Sequence, residues 1–156
     1  MTRIKTMVIM IGLQASGKST FCKTCLSDYK YISLDILNTR NKEKNAVLSC
    51  LENNEDFVID NTNPSVDDRK KYFEMIHDSD YKVIAYYMKS VLAECLLRND
   101  KRTGKAKIPR MALASTSKKI DLPSYEEGFE KVPHKVYGSV NNYWNGELPK
   151  ITQNMV

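Results

Sequence analysis

The sequence predicts a three-layer α/β domain with a mainly parallel sheet. Short apolar runs alternate with helix-patterned segments, the runs are apolar throughout, and the first of them ends on a glycine-rich turn. A strand covered on both faces reads as a continuous apolar run, and strand–helix alternation is the pattern of layered α/β architecture.

The elements follow in order. Met7-Val8-Ile9-Met10-Ile11 is the first strand, ending at Gly12, and a helix follows Gly17 to about Ser27 with Phe21, Cys25 and Leu26 on one side. Tyr31 to Ser33 is a short strand before Asp35, and Lys42 to Glu52 places Ala46, Val47, Cys50 and Leu51 at helical spacing. Phe57-Val58-Ile59 is a strand closing on Asp60; Pro64 and Ser65 then start a helix carrying Arg69, Tyr72, Phe73 and Ile76, ending near Ser79. Lys82 to Met88 is a fourth strand, and Val91 to Asn99 is a helix with Leu92, Cys95 and Leu96 on one face. Met111 to Lys119 is a further helix, and Phe129 to Val136 supplies a last strand that Pro133 weakens. From Val140 the chain is asparagine-rich and loosely patterned. No repeat or linker divides it, so residues 1–156 are expected to form one domain.

Composition narrows the function. Apolar residues make up 42% of the chain, which argues for a folded globule, and no apolar run approaches the ~20 residues of a membrane span. No signal-peptide pattern heads it, so a cytoplasmic protein without a membrane partner is expected. The net charge of +5 does not repel acidic ligands. Six basic residues (Arg98, Lys101, Arg102, Lys105, Lys107, Arg110) crowd one segment against a single acid, Asp100; alone, such a run reads as a solvated face. Cys22 and Cys25 have redox or zinc spacing, but Cys50 and Cys95 stand alone and no second pair completes a zinc set. All four are expected as small buried apolar residues.

Gly12-Leu13-Gln14-Ala15-Ser16-Gly17-Lys18-Ser19 matches G-x-x-x-x-G-K-[ST] in full, between a strand and a helix. The glycines let the backbone wrap closely with its N–H groups toward phosphate oxygens, and the helix start at Ser19 and Thr20 adds unpaired amides and a positive dipole end. Lys18 is the candidate for the β- and γ-phosphates of ATP, and the Ser19 hydroxyl for Mg²⁺. The fold class is therefore a P-loop NTPase or kinase.

Switches, motors and kinases all use such a loop. A guanine-reading switch is expected to carry Asn-Lys-x-Asp, and the nearest match, Asn41-Lys42-Glu43-Lys44, lacks the aspartate. A small kinase needs a base beside the acceptor hydroxyl, an acid to organise Mg²⁺ and arginines over the phosphates. Asp35 follows a short strand, where side chains face the ligand crevice of an open sheet, and its carboxylate is placed to accept a proton; a helix N-cap is the competing reading. Asp60 is placed to hold Mg²⁺ through water or to orient Ser19, or else to serve a strand-end turn.

Three stretches resemble the 5′-hydroxyl polynucleotide kinases, both the phage type and the kinase module of the DNA-repair enzymes. Asp35 stands seventeen residues after Lys18, as that family's catalytic aspartate does after its loop. Asp60-Asn61-Thr62-Asn63-Pro64, with Arg69 beyond, resembles the repair enzymes' turn, and Arg98 and Arg102 resemble the phage lid arginines that contact ATP phosphates. Ile108-Pro109 and Glu126-Glu127-Gly128-Phe129 are similar to the repair-type module. The resemblance implies a helical lid at about residues 98–110, ATP and Mg²⁺ as cofactors, Asp35 as the base for a 5′-hydroxyl, and Arg102 assisted by Arg98 on the transferring phosphoryl group. It also implies nucleic acid 5′ ends as partners, and a separate phosphatase or ligase partner. Arg40, Arg69, Lys70 and Lys71 are candidates for acceptor binding, with ordinary surface charge as the competing reading. Ser33 and Leu34 replace the family's Asn-Arg before the aspartate, and Asn38 stands where the phage type has a phosphate-gripping arginine. No aromatic-interleaved basic sheet appears, so sequence-specific binding is not expected. A small-molecule kinase and an ATP-binding adaptor without phosphotransfer are the alternatives.

Overall fold

The computed structural model describes residues 3–89 and 91–136, with side chains through residue 133. The expected tail beyond Val140 lies outside the described residues. Five strands are described: β1 (Thr6–Ile11), β2 (Lys30–Ile32), β3 (Phe57–Ile59), β4 (Lys82–Lys89) and β5 (His134–Val136). They form one parallel sheet in the order β2-β3-β1-β4-β5.

The pleat of β1 divides the core. Met7, Ile9 and Ile11 face one side, packed with Val47 and Cys50 of helix α3 (Arg40–Glu52) and Tyr72 and Ile76 of α4 (Val66–Ile76). Val8 and Met10 face the other, packed with Phe21 and Cys22 of α1 (Lys18–Cys25) and with Leu26. Alternate side chains of a strand point to opposite faces, so an all-apolar run must be covered twice. Between β2 and α3 lies a single short turn of helix, α2 (Leu34–Leu37).

Beyond β4, α5 (Leu92–Asp100) and α6 (Arg110–Lys119) form a helical pair whose Cys95 and Leu113 pack on Leu13 and Ala15 of the glycine loop. The basic segment expected as a helical lid is the end of α5 and the connection to α6, with one tight turn at Gly104–Ala106. Asn99 closes its base, its amide donating to the Ile108 carbonyl at 2.6 Å and accepting from the Ile108 N–H at 2.9 Å.

The last strand begins only after Pro133. Lys131 and Pro133 accept from the amides of Ala85 and Tyr87 at 3.0 Å each, a role that needs no proline N–H. The α1 stripe also differs from expectation: Cys22 is buried and Cys25 exposed, so one of the four cysteines is not a core residue. Leu26 already caps the helix there, its N–H on the Cys22 carbonyl, and Phe21, Cys22 and Leu26 fill the face against the sheet.

Candidate active site

The strands β2 and β3 end level, Ile32 paired with Ile59, and β1, whose Ile9 pairs with Ile59 on the other side, runs two residues further to Ile11. The glycine loop after β1, the α2 turn after β2 and the turn after β3 each contribute residues to one cleft of about 1050 Å³. In an open parallel sheet that edge is where ligands bind.

The loop from Gly12 to Lys18 wraps tightly. A Cβ at Gly12, where φ is 156°, would stand 3.1 Å from both the Cβ and the carbonyl oxygen of Met88, which cannot yield without moving the strand. Ala15 and Gly17 take left-handed φ values of 63° and 96°, so successive amides turn inward as in an anion-binding concavity. Leu13 and Ser16 are buried in the loop's own support, whereas Gln14, Ala15, Gly17, Lys18, Ser19 and Thr20 line the cleft. Lys18 is buried, its ammonium donating to the carbonyls of Gly12 at 3.0 Å and Leu13 at 2.7 Å. Burial lowers its pKa below the ordinary 10.5, with Arg102 adding to the effect and Asp60 opposing it.

Asp60 continues β3 and is buried. Its carboxylate accepts from the Ser19 hydroxyl at 2.8 Å and from the Tyr31 hydroxyl. Burial and then that hydrogen bond raise the Tyr31 phenol above its usual value, so it stays a donor. Ser19 and Asp60 together are hard oxygen ligands of the kind Mg²⁺ takes, and they fit that ion. Among the described residues no cluster of three or more His, Cys, Asp or Glu could hold a metal alone. Mg²⁺ is commonly held by one or two protein oxygens with substrate phosphates completing its shell.

Asp35 sits in the first turn of α2, exposed and lining the same cleft as Lys18, Ser19 and Asp60. The N-cap is Ser33, whose hydroxyl accepts from the Asp35 N–H at 3.2 Å, so the capping task does not fall to Asp35. Asn38 ends α2 in a left-handed conformation and turns its amide to the Ile36 carbonyl. Arg40 lines the cleft instead, its guanidinium donating to Glu43 at 2.9 Å and to the Tyr72 hydroxyl at 3.1 Å.

The arginines divide. Arg98 donates to the Ala15 carbonyl at 2.6 Å, clasping the glycine loop, and Arg102, one turn on, is exposed and lines the cleft. Arg69 corrects the expectation of an acceptor-binding or surface charge. It is fully buried, pairs through two nitrogens with Glu127 at 2.8 and 2.9 Å, and donates to the carbonyls of Asn63 and Pro64. Four of its five N–H donors are engaged in this way and it is absent from the cleft lining, so it braces the turn after Asp60. Glu127 is thereby tied to Arg69, and Phe129 meets Phe73 edge to face at 5.0 Å.

Several residues here escaped the sequence reading. Glu43 is buried with an exposure of 1% and accepts from Arg40, from Asn61 at 2.7 Å and from Tyr72 at 2.9 Å. Its spacing was a signal, since residues 43, 46, 47 and 50 share the apolar stripe of α3. Asn61 was legible only as a member of the Asp60–Pro64 stretch, and Tyr31 carried no comparable signal, because their roles depend on neighbours distant in sequence.

A parallel sheet in this order, with a complete G-x-x-x-x-G-K-S loop at the end of its first strand, defines a P-loop nucleotide-binding protein of α/β class. Within that class, the chain is 28% identical to the bifunctional polynucleotide phosphatase/kinase of Schizosaccharomyces pombe, over 88% of this chain and 36% of that protein. It is 33% identical to a putative bifunctional polynucleotide phosphatase/kinase of Acanthamoeba polyphaga mimivirus, over 83% of this chain and 33% of that protein. The resemblance to polynucleotide kinases read from the sequence is borne out by both. The chain spans about a third of the length of these curated relatives. The fold is similar to that of Chaetomium thermophilum Kti12, solved with ADP-AlF3, at a TM-score of 0.64 and 13% identity, covering 96% of this chain and 94% of that one. No family model matches the chain.

Proposed function

We propose that the chain transfers the γ-phosphoryl group of ATP to the 5′-hydroxyl of DNA or RNA. The observation that carries this reading is the placement of Asp35: an exposed carboxylate in the wall of the cleft that also holds Lys18, Ser19, Asp60 and Arg102. The cleft is at the upper end of the usual range for one small ligand, which leaves room for a nucleotide and the end of a second molecule.

In this reading the amides from Gly12 to Thr20 cradle the triphosphate, and Lys18 exchanges its bonds to loop carbonyls for phosphate oxygens. Ser19, with Asp60 hydrogen-bonded behind it, would hold Mg²⁺, which would supply charge neutralisation to the phosphates. Asp35 takes the proton of the acceptor hydroxyl as its oxygen bonds to the γ-phosphorus, and the bond to the bridging oxygen breaks to release ADP. Arg102 neutralises the transferring group, and Arg98 holds the loop in place. Such transfers rest on positioning and charge, which is what these residues provide. Arg40 with Lys105 and Lys119, which also line the cleft, offers charge to acceptor phosphates without reading sequence.

The test is transfer from labelled ATP to a 5′-hydroxyl oligonucleotide, run beside a panel of sugars, nucleosides and metabolites. Label on the oligonucleotide, lost in Asp35→Ala while ATP binding is retained, is the expected result. Label on a metabolite instead would make the chain a small-molecule kinase. ATP binding without any acceptor, indifferent to Asp35→Ala, would make it a nucleotide-dependent adaptor.

A further inference from the structure

The buried carboxylate of Glu43 is a charged group that the phosphoryl-transfer reading leaves unused. A buried carboxylate is costly unless several donors satisfy it. Glu43 has three, each from a different stretch of chain: Arg40 on its own helix, Asn61 after β3, and Tyr72 on α4. Asn61 is the pivot. Its amide nitrogen donates to Glu43 at 2.7 Å, and its amide oxygen accepts from the Leu34 N–H at 3.0 Å.

The positions on either side of that link matter. Leu34 immediately precedes Asp35, and Asn61 immediately follows Asp60. The Asn61 side chain therefore spans from the residue beside one cleft carboxylate to the residue beside the other. The Leu34 amide is at the start of α2, where no intrahelical acceptor is available to it. α2 is a single turn with no fully buried residue; Leu37 at its far end packs against the core, whereas Leu34 and Asp35 at its start depend on hydrogen bonds to be held in place. Glu43 in turn fixes the Asn61 amide: only the nitrogen can face a carboxylate, so the oxygen must face Leu34. Arg40, held by the same carboxylate, also lines the cleft.

We propose that Glu43 and Asn61 are positioning residues for the reaction, a buried relay that holds the Asp35 turn at a fixed distance from the Asp60 and Ser19 pair. This deepens the phosphoryl-transfer reading and rests on it for its kinetic consequence, but the link itself is a property of the folded chain. Removing either residue frees α2 to shift, and a displacement of about 1 Å at a reacting group costs on the order of 10²-fold in rate.

The experiment joins a kinetic and a spectroscopic arm on the full chain. Glu43→Gln and Asn61→Ala are each expected to lower kcat about 10²-fold at saturating acceptor, with the affinity for ATP unchanged. The double variant Glu43→Gln with Asn61→Asp reverses the polarity of the link, with the glutamine amide donating to the new carboxylate while Leu34 still has its acceptor. It is expected to recover most of the lost kcat. Val47→Ala, a core change on the same helix, provides a destabilised control whose kcat stays at the wild-type value. In the second arm, amide exchange at Leu34 is slow in the wild type, fast in Asn61→Ala and slow again in the double variant. A fall in kcat for Val47→Ala equal to that for Asn61→Ala, or unchanged Leu34 exchange in Asn61→Ala, overturns the relay. If the wild type transfers no phosphoryl group while Leu34 exchange responds as expected, the reaction assignment fails and the structural link stands.

Discussion

At the scale of single residues, Lys18 shows how a binding loop prepares a charge. Its ammonium is out of water, bonded to two carbonyls of its own loop, and its pKa is lowered mainly by that burial. Phosphate oxygens placed against it favour the charged form and raise the pKa. Nucleotide binding in alkaline buffer is therefore expected to take up a proton, increasingly as the pH nears the amine's folded pKa from below. Calorimetry in two buffers of different ionisation enthalpy checks this, and a binding enthalpy independent of buffer would contradict it. Lys18→Ala is expected to abolish binding of ATP outright. Arg102→Ala tests the neighbouring charge. If the guanidinium acts on the transferring group, kcat falls on the order of 10²–10³-fold with little change in ATP affinity. An effect confined to ATP affinity would reduce Arg102 to a ground-state contact.

Between elements, the turn after β3 is the point where several are tied together. Asn63 donates to the Met10 carbonyl at 2.9 Å, and Gly12 donates to the Thr62 carbonyl at 3.1 Å, so the turn is stitched to the glycine loop. Arg69 and Glu127 buttress it from behind. Removing one partner of a buried pair leaves the other charge uncompensated, which typically costs about 3–5 kcal/mol. Arg69→Ala is expected to lose that much in urea unfolding, and Glu127→Ala a similar amount. Restoring apolar volume at both positions (Arg69→Met with Glu127→Leu) is expected to recover most of it, because no charge is then stranded. If Arg69→Ala unfolds at the wild-type midpoint, the bracing role is wrong. The arginine nearest the shared turn in sequence thus serves the scaffold, and one on a different helix, Arg40, faces the cleft.

Over the whole molecule, the entry to the sheet carries its own pH dependence. Asp56, just before β3, accepts from the Thr6 N–H at 2.8 Å and pairs with Arg3, tying the start of β1 to that of β3. Burial acts to raise the Asp56 pKa, but the Arg3 hydrogen bond and the Thr6 amide outweigh it and the net shift is downward. A carboxyl that titrates lower when folded contributes stability that is complete above its unfolded pKa of ~3.9 and is lost as pH falls through the folded value. Asp56→Asn is expected to remove that contribution, so its stability should fall less steeply than the wild type's over the same acid range. Denaturant midpoints measured across that window check it, and parallel curves for the two proteins would refute it.

The legible part of this chain was what neighbours in sequence decide. The all-apolar run of β1 announced a strand covered on both faces, and the run from Gly12 to Ser19 announced its own function, because close wrapping around phosphates is achieved by consecutive residues. Asp35 and Asp60 were legible for a related reason: each follows a strand, and a parallel sheet delivers all such positions to one edge. The tertiary structure alone decided which charges meet a ligand and which meet each other. A sequence gives an arginine the same long side chain at 69 as at 40. Only the arrival of Glu127, fifty-eight positions away, locks the first into the interior. Likewise the partners of Glu43 and Asn61 lie on other elements, and burial of a charge is favourable only where such partners converge, a condition that no local pattern encodes.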